Sequence, residues 1–187
     1  MRIPALAPHW LTGVAAIACT AALAAMAWPA TAATAGPPGC LASGLVVWMD
    51  TQGSVAAGSV FYTLMFTNLS GHACTLDGHP GVSAVSLGGD QVGSPAAWDP
   101  PGAQLVTLAS GATGYAVLQY SDVVTSNSGP RPCDPVTAAG LRIYPPGQTA
   151  AKVVPFPLTA CTSSVVYMGV RPVQQAPPPG QAPLTPR

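Results

Sequence analysis

From residue 40 onward, apolar and polar positions alternate in short runs, and each run stops at Gly, Pro, Asn or Asp. A period of two is the pattern of a half-buried strand, because successive side chains point to opposite faces. The strongest run covers residues 59–67, with Val60, Tyr62, Leu64 and Phe66 on one face and Thr63 and Thr67 on the other. Asn68-Leu69-Ser70-Gly71 ends it as a turn in which the Asn caps its own backbone. Further strands are predicted over 45–50, 105–108, 115–120, 141–144, 152–156 and 165–170, with Ala116, Leu118 and Tyr120 sharing a face. Residues 82–87 and 90–93 flank Gly88-Gly89, a hairpin signal. The only helical candidate in this part of the chain is a turn near 136–139. Short strands divided by turn signals predict an all-β domain: an immunoglobulin-like two-sheet antiparallel β-sandwich rather than a barrel.

A different pattern precedes this domain. Arg2 is followed by an apolar, Ala-rich stretch over 10–28, and then by Pro29-Ala30-Thr31-Ala32-Ala33-Thr34-Ala35. Small residues at that spacing predict a signal peptide over 1–35, cut after Ala35 or alternatively after Ala32. Two other readings stay open. The stretch is almost long enough to remain as a membrane anchor, although Ala is only weakly apolar and the small-residue site follows directly. Cys19 follows Ala16-Ile17-Ala18 as a lipidation cysteine would, although the apolar run continues beyond it. The rest divides into a linker over 36–39, the β domain over 40–172 and a Pro-rich tail over 173–187. That tail has nothing to bury and is expected to be disordered or partly polyproline II.

Removing the leader removes Cys19 and leaves Cys40, Cys74, Cys133 and Cys161. An even number in an exported chain reads as disulfides, because that compartment is oxidising. Four cysteines allow three connectivities, and the sequential one, Cys40–Cys74 with Cys133–Cys161, is preferred. Only 6% of residues are charged and the formal net charge is zero; all six acids are Asp, and Lys152 is the only lysine. Nucleic-acid binding and polybasic attraction to membranes both need clustered cations, so neither is expected. Once the signal is cleaved, no stable membrane insertion is expected.

Several motifs in the β domain carry a family resemblance. Cys40 opens it, followed by Gly58-Ser59 and Phe66-Thr67-Asn68-Leu69-Ser70-Gly71. Cys74-Thr75-Leu76-Asp77-Gly78-His79-Pro80-Gly81-Val82 comes next, and later Val106-Thr107-Leu108 with Gly111. Cys133, Leu141-Arg142-Ile143-Tyr144-Pro145-Pro146-Gly147 and Cys161 complete the set. Over about 40–172 the chain resembles the secreted actinobacterial domain of unknown function numbered 4232. The resemblance implies an exported β-sandwich, often found in lipoproteins or behind a Ser/Pro-rich linker, and implies no activity. His79 stands where the family pattern leads one to expect an aromatic residue such as Tyr.

Candidate chemistry is sparse. His72, Cys74, Asp77 and His79 form the only cluster of ligand-type residues; a reduced Cys74 would make them a soft or borderline metal site. The plainer reading is a disulfide cysteine between two turns. Ser/His/Asp hydrolysis has only His72 and His79 to draw on after export, and no G-x-S-x-G elbow is present. Phosphate-loop and dinucleotide fingerprints are absent too. Trp98, in Trp98-Asp99-Pro100-Pro101-Gly102, is a loop aromatic that either anchors a ligand or covers the end of the sandwich. The expectation is therefore a non-catalytic envelope or extracellular module with no catalytic residue, metal or cofactor. Trp98, His72 and His79 are its candidate contacts to an envelope or extracellular ligand. The alternative is a metal-binding or hydrolytic domain centred on His72, Asp77 and His79.

Overall fold

A computed structural model describes residues 35–121 and 133–179. The leader through Thr34 and the tail from Gly180 lie outside the described residues. Among the described residues, a short 3-10 turn, Ala42–Gly44, is followed by eleven strands. They are β1 (Leu45–Ala56), β2 (Ser59–Asn68), β3 (Cys74–Asp77), β4 (Gly81–Val85), β5 (Gln91–Val92) and β6 (Ala97–Trp98), then β7 (Leu105–Leu108), β8 (Thr113–Ser121), β9 (Pro135–Tyr144), β10 (Lys152–Cys161) and β11 (Met168–Val170). One sheet has the order β1-β2-β8-β11-β6 and the second β10-β9-β4-β5. β3 and β7 make a separate two-stranded ribbon beyond the two sheets that were expected. All pairs are antiparallel except β6 with β11.

The alternation read in residues 59–67 sets the core. Leu64 and Phe66 of β2 are fully buried, as are Ala116 and Leu118 of β8. They join Val82, Ala84, Leu141 and Ile143 of the second sheet and Leu76 and Leu108 of the ribbon in one cluster. A β-sandwich therefore holds, with two inner faces meeting across a single core. β2 departs from a half-buried strand, because Thr63 and Met65 on its other face are also buried. It is a central strand, and Trp48 and Tyr115 flank Met65 in register on either side.

Several predicted bounds shift. The helical turn near 136–139 is strand instead: Val136, Thr137 and Ala138 pair with β10. β10 runs on to Cys161 through Pro155 and Pro157, with a register break between Pro155 and Leu158. It is an edge strand, where a missing N–H breaks no ladder bond if it faces outward. β1 runs on to Ala56 and turns through Ala57 (φ 49°) and Gly58 (φ 72°) into β2. Two left-handed residues make the hairpin turn whose twist matches the strands it joins. The strand expected over 165–170 contracts to β11, and neither β3 nor β6 was predicted. The domain also runs past Pro172, where the tail was expected to start. Val173 is fully buried and its N–H donates to the Gly78 carbonyl at 2.9 Å. Gln174 exchanges both backbone bonds with Tyr115. A single buried valine after Pro172 carries no periodic signal, so composition alone grouped it with the tail.

The sequential disulfides form. Cys40–Cys74 ties the entry segment to β3, and Cys133–Cys161 closes the open end of the β9–β10 pair. Between the sheets, Tyr167 is fully buried beside Tyr120, with ring centroids 6.1 Å apart at 90°. Burial, reinforced by the Tyr120 phenol and partly offset by the Cys161 backbone, pushes the Tyr167 pKa up to about 12. A phenol whose pKa rises from 10.0 in the unfolded chain supports folding fully below pH 10. That support is lost as pH climbs toward 12. In alkaline urea titrations the wild type is expected to lose stability across that window and Tyr167→Phe to lose distinctly less; equal slopes would contradict this.

Candidate functional site

β3 ends at Asp77, and Gly78 turns the chain through a left-handed conformation into His79-Pro80 and β4. On the neighbouring side, the short strand β6 holds Trp98. Its partner β11 pairs Ala97 with Gly169 and Trp98 with Val170, and the Asp99 N–H donates to the Val170 carbonyl at 2.9 Å. A Cβ on Gly169 would lie 2.0 Å from an Asp99 carboxylate oxygen, so the bare glycine leaves room for the Asp99 side chain over β11.

His79 completes the arrangement. Its Nε2 lies 2.8 Å from the Asp99 carbonyl, an acceptor only, so Nε2 carries the proton and donates. The His79 and Trp98 rings stack with centroids 5.3 Å apart and planes within 10°. His79, where an aromatic ring was expected, thus fills an aromatic ring's place against Trp98. The His79 ring stacks on the indole, and Trp98 remains 69% exposed. A cleft of about 400 Å³ opens beside it, lined also by Asp77, Tyr144 and Gln148. Tyr144 ends β9, where Pro145-Pro146-Gly147 turns the chain, and the Gln148 carbonyl oxygen Oε1 accepts from the Ala42 N–H at 3.2 Å. Among the described residues Asp77 is the only Asp, Glu, Lys or Arg on the cleft wall.

His72 belongs elsewhere. It lines a second cleft of about 340 Å³ with Leu41, Asn68 and Leu69, and its Nδ1 lies 3.2 Å from the Ser70 carbonyl. The extended strand β3 separates it from Asp77, and at about 3.3 Å per residue the two ends of that strand lie roughly 10 Å apart. Cys74 is held in its disulfide. The cluster His72, Cys74, Asp77 and His79 is therefore contiguous in sequence and not in space. Among the described residues no three His, Cys, Asp or Glu side chains are grouped to hold a metal ion. A third cleft, of about 330 Å³, lies between the sheets, where Tyr62 meets Phe156 edge-on at 5.0 Å.

The second cleft is built on Asn68, which is fully buried. Its Nδ2 donates to the carbonyls of His72, Leu108 and Ala109 at 2.8–3.2 Å. Its Oδ1 accepts from the Ser70 N–H at 3.0 Å and the Ser70 hydroxyl at 2.7 Å. The expected backbone cap is thus present, and the same side chain also joins the β2–β3 turn to the β7–β8 turn. The glycosylation sequon that Asn68 opens is closed to modification in the folded chain, because Nδ2 is buried and fully engaged.

Tyr144 and Gln148 were not singled out from the sequence. Their signal was the Tyr144-Pro145-Pro146-Gly147 motif, which reads as a strand end and gives no hint of the cleft it faces. Among the described residues no helix is long and apolar enough to cross a membrane. No curated protein and no solved structure matches the chain. The model of one family matches residues 40–174, from the first disulfide cysteine to the residue paired with Tyr115. The chain belongs to that family, the domain of unknown function DUF4232.

Proposed function

We propose that this chain is an exported, non-catalytic binding module of the cell envelope or extracellular space, taking its ligand at the Trp98 cleft. The observation that carries the reading is Trp98, a residue 69% exposed, with His79 stacked against its indole and its backbone paired with β11. A large aromatic ring loses apolar contact by staying in water and recovers it when a ligand covers it, so exposed anchored aromatics mark recognition sites. Export is supported by the apolar leader ending in small residues and by two disulfides, which persist in oxidising compartments. The non-catalytic part is supported by the separation of His72 from Asp77 and His79, which leaves the hydrolytic or metal alternative without its convergent site.

Expression of the full chain in an exporting host tests both halves. The recovered protein is expected to begin at Gly36, to show no free thiol, and to co-sediment with the insoluble envelope fraction of that host. Trp98→Ala is expected to stay in the supernatant while keeping its thermal midpoint. Equal sedimentation of wild type and Trp98→Ala, or no sedimentation of either, would remove the cleft reading.

A further inference from the structure

We infer, resting on the reading of the Trp98 cleft as the ligand site, that its ligand is a neutral sugar unit of a polysaccharide. The cleft offers one open, flat, apolar surface, the free face of the Trp98 indole, whose other face is fixed against His79. A pyranose ring presents the matching surface: its axial C–H groups form a flat apolar face, and its equatorial hydroxyls radiate in the plane. Laid on the indole, the C–H face gains dispersion contact, and the hydroxyls meet the groups at the rim. Of the polar side chains that line the cleft, Asp77 brings a carboxylate and Tyr144 a phenol, while the Gln148 amide already bonds the Ala42 N–H and the Gly147 carbonyl. They supply acceptors and donors in the mixture that hydroxyl groups need, since each hydroxyl both donates and accepts. The volume of about 400 Å³ lies at the small end of ligand sites, about 300–1,000 Å³, which suits one or two sugar rings.

Charge narrows the class. Among the described residues no Lys or Arg lines the cleft, and the one charged wall residue is Asp77. An anionic sugar, a phosphate or a carboxylate ligand would meet that carboxylate with no cation to balance it. A quaternary ammonium would find one free aromatic face rather than the enclosing cage that recognises such cations. Neutrality of the ligand also matches a chain with 6% charged residues and no net charge.

The test uses the exported protein, titrated calorimetrically with neutral oligosaccharides of glucose, galactose, mannose, arabinose and N-acetylglucosamine. Oligogalacturonate, tetramethylammonium and a proline decapeptide serve as charged and peptide probes. At least one neutral oligosaccharide is expected to bind and to quench indole fluorescence. Trp98→Ala should weaken that binding by at least about tenfold, the loss of one aromatic anchor. Asp77→Asn and Tyr144→Phe should each weaken it severalfold. Trp48→Phe, which changes an exposed indole on β1 outside the cleft, should bind as wild type does. Binding of oligogalacturonate, tetramethylammonium or the peptide in place of the neutral sugars overturns the sugar assignment. So does failure of every neutral oligosaccharide while Trp98-dependent sedimentation with the envelope persists, a result that leaves the binding-module reading standing. Loss of that sedimentation dependence overturns both.

Discussion

Asn68→Ala is expected to destabilise the domain by at least about 3 kcal/mol, read as a lowered urea midpoint with an unchanged slope. The substitution takes a donor from three carbonyls, those of His72, Leu108 and Ala109, of which His72 still accepts from the Ser70 hydroxyl and Ala109 from the Ala112 N–H. It also strips the cap from the Ser70 N–H and hydroxyl. Each buried group left unpaired loses its hydration without recovering a partner, so the cost exceeds that of an average hydrogen bond. Asn68→Asp is nearly isosteric and is expected to be worse still near neutral pH. It replaces the donating amide with a second acceptor, and the charged form faces three carbonyl oxygens. Burial among acceptors holds such a carboxyl above its unfolded value, so the penalty of its charge grows as pH rises above about 4 and is gone below that. Ser70→Ala keeps the amide donors and should cost only about 1 kcal/mol. An Asn68→Ala cost below that of Ser70→Ala would mean that the junction of the two turns does not depend on this side chain.

Replacing either cysteine pair by serines is expected to cost about 3.5–4 kcal/mol in the chain-entropy account. The two bridges span separations of 34 and 28 residues, so the unfolded chain gains nearly the same freedom from each. Their surroundings also balance. Cys40 is backed by its own N–H to the Thr75 carbonyl, and Cys161 is backed by Thr162 donating to the Asp134 carbonyl. The two single-bridge variants should therefore agree within about 1 kcal/mol, and loss of both should consume most of a typical stability of about 5–15 kcal/mol. Urea unfolding of Cys40→Ser/Cys74→Ser, Cys133→Ser/Cys161→Ser and the quadruple variant measures this. A bridge whose removal costs under about 1 kcal/mol would be one the entropic account does not describe.

Much of the fold was legible because period-two alternation, turn residues and cysteine parity are local signals. The face shared by Ala116 and Leu118, the hairpin at Gly88-Gly89 and the two bridges all follow from residues close in sequence. The misreadings have a common cause in neighbours supplied from elsewhere. Thr63 looked solvent-facing and is buried because β2 lies between β1 and β8. The strand expected over 152–156 runs on past Pro157, which is tolerated because β10 is an edge. β3 and β6 are too short to show a period and exist because β7 and β11 pair with them.

The same division runs through the candidate site. The sequence by itself indicated an all-β sandwich with four cysteines for two disulfides, their pairing only preferred, a chain poor in charge, and a resemblance to the family to which the domain belongs. It also offered Trp98, His72 and His79 as the residues to watch. Only the tertiary structure decided which of them belong together. His72 and His79 are seven positions apart, yet an extended strand carries them into different clefts, because a strand separates residues that a helix would stack. His79 and Trp98 are farther apart in sequence and lie face to face, because the parallel pairing of β6 with β11 brings the Trp98 segment beside the turn that leaves β3. Proximity in a β-sandwich is set by strand pairing between distant segments, which local pattern does not encode, and that pairing leaves the Trp98 indole backed on one face and open on the other.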